Sequence, residues 1–127
     1  MREWLLVAAG GALGSVARYG LGGVIQSRVA SGFPFGTLAV NVVGCFAIGV
    51  LMHAGIAHER STPLRLLLVT GVLGGFTTYS AFNHETLELA REGQLARAFA
   101  YAAATLLAGL AAGVAGNALG RSLVAAR

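Results

Sequence analysis

The sequence has no lysine and no aspartate: its nine basic residues are all arginine, its five acidic residues are all glutamate, and only 11% of its 127 residues are charged. A soluble domain carries about 25%. Together with a 56% hydrophobic content, this deficit excludes an ordinary water-soluble fold and reads as an integral membrane protein. The single cysteine, Cys45, excludes an internal disulfide and a cysteine-rich metal site, and leaves its thiol as a small packing group. No ATP-binding motif, Cys-x-x-Cys pair or nucleophile beside a base occurs, which argues against an enzyme and makes any transport passive. The arginines stand singly, without the basic face and aromatic platforms that nucleic acid requires. The formal charge of +4 is therefore assigned to topology and lipid contact. Met1-Arg2-Glu3-Trp4 offers no processing site of small residues, so the first apolar run is expected to remain as a membrane span.

What the chain does have is apolar length. Segments 4–24, 36–57, 63–89 and 96–119 each come near the roughly 20 residues that cross a bilayer. They are separated by the turn signals Ser31-Gly32-Phe33-Pro34, Glu59-Arg60-Ser61-Thr62-Pro63 and Arg91-Glu92-Gly93-Gln94. Connections this short make sequential helices antiparallel. The expected fold is an all-α membrane protein, a single transmembrane domain over residues 1–127 with four helices.

The third segment is interrupted from Gly71 to Glu85 by glycines and hydroxyls: Gly74-Gly75-Phe76-Thr77-Thr78-Tyr79-Ser80. Each glycine costs a helix about 1 kcal/mol relative to alanine, so a break in the membrane helix is predicted here. Non-helical backbone at bilayer depth persists only where protein, water or an ion satisfies it. From the residues alone, a kink held by neighbouring helices and an ion site both remain open. In the first span Gly10-x-x-x-Gly14 makes a smooth face for close helix approach. Arg18, one turn further, reads either as a snorkelling side chain or as a cation facing a watery vestibule. Asn41 lies on a face with Gly44, Cys45 and Ile48, as interhelical glue or as a ligand. In the fourth span Tyr101, Thr105 and Gly109 share one face, and Gly109-x-x-x-Gly113 offers another close contact. His53 and His58 read as interfacial, and Glu85 and Glu88 as solvated at the interface or paired with an arginine.

Three pieces coincide with a known family: Gly10-Gly11-Ala12-Leu13-Gly14-Ser15-Val16-Ala17-Arg18-Tyr19, Gly36-Thr37-Leu38-Ala39-Val40-Asn41-Val42-Val43-Gly44, and Gly74-Gly75-Phe76-Thr77-Thr78-Tyr79-Ser80-Ala81-Phe82. In this order the chain resembles, over essentially its whole length, the Fluc fluoride channels, also called the CrcB family. The resemblance implies a dual-topology antiparallel homodimer in the plasma (inner) membrane, with two anion pores and a structural Na⁺ at the dimer interface. It assigns that cation to backbone carbonyls of Gly74 and Thr77. Fluoride is assigned to Asn41, Tyr79, Phe82, Tyr101 and Thr105, to which Ser80 adds a further hydroxyl donor; Arg18 matches the vestibule arginine. Two departures stand out: Tyr79 where the family usually has phenylalanine, and Gly109 where a hydroxyl can occur. A small multidrug-type proton-coupled transporter is the alternative, but it needs a carboxylate inside the first span, where this chain has Arg18 and only Glu3 at the start.

Arg2, Arg60, Arg65, Arg121 and Arg127 fall on one side of the expected topology, and Arg28, Arg91 and Arg97 on the other. So small a bias leaves orientation weakly specified. A topology reporter fused to the C terminus should therefore signal from both sides of the membrane; signal from one side only would contradict dual insertion.

Overall fold

The computed structural model describes residues 1–29, 31–53 and 62–126, which are helical with no strand among them. Helix α1 spans Arg2–Arg28 and α2 spans Phe35–His53. The third span, Pro63–Arg91, is two pieces: α3 covers 63–76 and α4 covers Tyr79–Arg91. Helix α5 is Leu95–Ala125. Among the described residues four spans are thus long and apolar enough to cross a membrane. The helices outrun the apolar segments at several ends, α1 reaching Arg28 and α5 reaching Ala125, because a helix keeps its internal hydrogen bonds as it passes into the headgroup layer. The expected end of the second span, 54–57, lies outside the described residues, as do His58, Arg60 and Arg127.

The break is not at the glycine pair. Gly74 and Gly75 are helical, and the extended residues are Thr77 (φ −78°, ψ 155°) and Thr78 (φ −149°, ψ 117°). The glycines serve packing: a methyl group on Gly75 would run into the carbonyl of Gly11. β-Branched threonine accepts extended backbone readily, and both hydroxyls close the cut ends. Thr77 Oγ1 donates back to the Leu73 carbonyl at 2.9 Å, and Thr78 Oγ1 caps α4 by accepting from the Ala81 N–H at 3.2 Å. Ahead of the break, Leu66–Leu73 is wound as a π-helix, a widening common at functional sites.

Close backbone contact fixes the bundle. α1 runs parallel to α3, with Gly10 against the Leu67 carbonyl and Gly14 against that of Val72. α2 runs parallel to α5, with Gly49 on the Gly113 carbonyl and Gly116 on that of Phe46. Gly36 meets Gly22 where α1 turns into α2. Between α4 and α5, Gly93 takes φ 78°, and the Gly93 and Gln94 N–H groups return to the Ala90 and Leu89 carbonyls at 3.1 and 2.9 Å, closing the helix end. The small core collects Leu89, Ala98 and the fully buried Tyr101, with Phe33, Leu38 and Phe82 against it.

A side chain at Gly14 has no room, whereas Gly11 has nothing within 4 Å of an added methyl. Gly14→Ala should therefore cost about 2 kcal/mol in unfolding of the purified protein, and Gly11→Ala should be close to neutral.

Candidate functional site

The two-residue break sits opposite the middle of α2. Gly44 has no side chain there, and an added methyl would collide with the Thr77 side chain. One turn earlier, Asn41 brackets Thr78: its Nδ2 donates to the Thr78 carbonyl at 3.0 Å and its Oδ1 accepts the Thr78 N–H at 2.8 Å. The amide thus substitutes for the helical partners that Thr78 lost. Its second N–H has no partner among the described residues.

A groove of about 1060 Å³ opens from this point, lined by Asn41, Gly74, Thr77, Thr78, Tyr79, Phe82 and Thr105 among others. Its polar groups are uncharged over this stretch. The Tyr79 and Phe82 rings lie 5.6 Å apart, inclined at 54°, and Tyr79 is 77% exposed in the single chain. Thr105 Oγ1 is buried without a hydrogen-bond partner among the described residues. Cys45 also lines the groove, with its sulfur 3.3 Å from where a methyl on Gly109 would stand. Ser80 pairs its hydroxyl with that of Thr78 at 3.2 Å.

Tyr101 is placed elsewhere. Its hydroxyl donates to Glu85 Oε2 at 2.6 Å, and Thr37 Oγ1 donates to Glu85 Oε1 at 2.7 Å. Phe82 stands between the two regions, its ring 5.6 Å from Tyr79 on one side and 5.3 Å from Tyr101 on the other. Glu85 opens onto a second cavity of about 400 Å³, whose lining includes Gln26, Gly36, Thr37, Glu88 and Glu92. The arginine pairing weighed for Glu85 is not found among the described residues: its partners are two hydroxyls on other helices, and it keeps an opening to the cavity. Thr37 and Thr78 were missed in the sequence reading. Thr37 had a signal, since it precedes Asn41 by one turn on the same face of α2. Glu88 is exposed, 3.9 Å from His84. His53 ends α2, and Arg18 is half-buried on α1 with no hydrogen bond or ion pair among the described residues.

Thr78 N–H is taken by Asn41, and the Ala81 N–H by Thr78 Oγ1. The carbonyls of Gly74 and Thr77, which those amides would have served in a continuous helix, accept no hydrogen bond among the described residues. Both residues line the groove. Neutral carbonyl oxygens freed in this way suit a hard cation such as Na⁺. No group of three or more histidine, cysteine or carboxylate ligands exists among the described residues.

Residues 5–117 match the family model described as CrcB-like protein, Camphor Resistance (CrcB). A protein of Thermus thermophilus named a fluoride-specific ion channel FluC is 46% identical over 98% of this chain and 99% of its own length. Proteins of the same name from Sorangium cellulosum and Paracoccus denitrificans are 47% and 48% identical, over 98% and 96% of this chain and 99% and 97% of theirs.

Tyr101→Phe removes one of the two hydroxyls on Glu85 and keeps the buried ring. The variant should lose about 2 kcal/mol of stability, measurable as a lowered unfolding midpoint, while Thr105→Val, which removes an unpartnered hydroxyl, should leave that midpoint nearly unchanged.

Proposed function

The chain belongs to the CrcB-like family, and from that membership we propose that it is a fluoride-selective passive ion channel that exports cytoplasmic fluoride and protects the cell from its toxicity. The observation that carries this reading is a mid-membrane groove lined by neutral donors, two of them unused: the second N–H of Asn41 and the hydroxyl of Thr105. Fluoride is compact and strongly hydrated, so a narrow path must replace its water with hydrogen bonds. Asn41 and Thr105 supply donors. The Tyr79 and Phe82 rings offer positive edges, and the Tyr79 hydroxyl adds a donor. Beyond Phe82, Thr37 and Tyr101 present two hydroxyls that already hold an anion, the Glu85 carboxylate. Those two hydroxyls are donors arranged for negative charge beside the path of the ion. Arg18, without an anionic partner among the described residues, raises the positive potential for an entering anion.

Two antiparallel copies complete the pore. The exposed face of α4 carries Tyr79, Ser80, Asn83, His84 and Glu88, a polar surface that lipid disfavours and a second copy would cover. Gly74 is exposed too, and a methyl there would approach only the Val69 carbonyl, at 3.9 Å, so nothing within its own chain requires glycine. Sodium held by the Gly74 and Thr77 carbonyls would supply fixed positive charge between the pores. In the cell, neutral hydrogen fluoride crosses the bilayer, ionises in the less acidic cytoplasm, and the trapped anion leaves through the channel.

Liposomes loaded with potassium fluoride and carrying the purified protein should release fluoride rapidly and chloride negligibly. Thr105→Val should slow release at least about tenfold, equivalent to roughly 1.4 kcal/mol in the barrier. Absence of fluoride release from folded protein would overturn the channel reading.

A further inference from the structure

We propose that Asn41 is the positioning residue of the cation site: it keeps the Gly74 carbonyl open by occupying the one amide that would otherwise close it. This rests on the reading of the helix break as a sodium site.

In a continuous α-helix the Thr78 N–H would donate to the Gly74 carbonyl, four residues back. A single N–H serves one acceptor well, and here that acceptor is Asn41 Oδ1 at 2.8 Å. The same side chain also donates to the Thr78 carbonyl at 3.0 Å, so Thr78 is held on both of its backbone groups and cannot drift back into helical register. The consequence falls on Gly74, whose carbonyl is left without a donor among the described residues. Thr77 is freed by a different device, the Thr78 hydroxyl on the Ala81 N–H. Of the two carbonyls assigned to the cation, one is therefore under the control of a side chain from another helix. Nothing nearby replaces that control. Gly44, next along the α2 face, leaves the room that the Thr77 side chain occupies, and Cys45 faces Gly109.

Without the Asn41 oxygen, the Thr78 N–H is unsatisfied at bilayer depth, and its nearest remedy is the helical bond to Gly74. That bond would remove the carbonyl from the cation. Asn41 thus links the two ions of the protein: one amide N–H is left for an anion in the groove, while its oxygen sustains the cation ligand.

The test is sodium-dependent stability, read separately from flux. Purified wild-type protein is unfolded thermally while sodium chloride replaces N-methyl-D-glucamine chloride at constant ionic strength, giving a half-saturating sodium concentration. Asn41→Ala should raise that concentration at least about tenfold or abolish the response, whereas Cys45→Ala, which shortens the same face of α2, should keep the wild-type value. Asn41→Asp retains an acceptor for the Thr78 N–H and should respond to sodium at or below the wild-type concentration. A wild-type sodium response in Asn41→Ala would overturn the proposal. If that variant does not fold, Asn41→Asp decides: a retained response supports the proposal and a lost one refutes it. A wild-type protein indifferent to sodium would remove the cation reading and this proposal together, and leave the channel reading to its own flux measurement.

Discussion

Peptide groups inside a bilayer must find partners within the protein, and this chain cuts a helix where that demand is hardest to meet. Thr77 and Thr78 leave the helix opposite the middle of α2: the Leu73 carbonyl keeps the Thr77 N–H and gains the Thr77 hydroxyl, while the freed Ala81 N–H is taken by the Thr78 hydroxyl and that of Thr78 by Asn41. What remains unanswered is as informative as what is satisfied. The Gly74 and Thr77 carbonyls on one side, and the Asn41 amide and Thr105 hydroxyl on the other, put unused acceptors and unused donors within one groove.

That arrangement suits ions of both signs without a formal charge at the middle of the membrane. A lysine or arginine at the narrowest point would bind a small anion too firmly to release it, and an isolated charge there is costly. Neutral dipoles spread the work over several weak sites. The carboxylate of Glu85, at the far side of Phe82, is accommodated by two hydroxyls and by the space beside Gly36.

The spans were legible because apolar length is a direct property of sequence, and the interruption in the third was legible because Thr77, Thr78, Tyr79 and Ser80 follow directly on a glycine pair and Phe76 there. Its position was not. Gly74 and Gly75 are the poorest helix formers of the stretch, yet contact with α1 at Gly11 rewards a helix there, and propensity yields to packing. The π-helical winding of Leu66–Leu73 had no distinct signature, since Thr70 and Gly71 read there only as the approach to the interruption. Asn41 was recognisable as important, but its partner is 37 positions away, beyond any spacing argument. The partners of Glu85 were out of reach for the same reason, as Thr37 and Tyr101 lie on other helices.

The glycine contacts carry one more implication. Where Gly10 and Gly14 meet α3, and Gly49 and Gly116 join α2 to α5, backbone touches backbone with no side chain between to act as a bearing. Helices locked in this way do not slide or tilt in small steps, because a close-packed contact offers no continuous deformation. Helix α4, which brings Tyr79 and Phe82 to the groove, is outside these contacts, so the rigid units are α1 with α3 and α2 with α5. The groove is thus framed by two backbone-locked helix pairs, and its shape is set by side chains mounted on a frame that does not give.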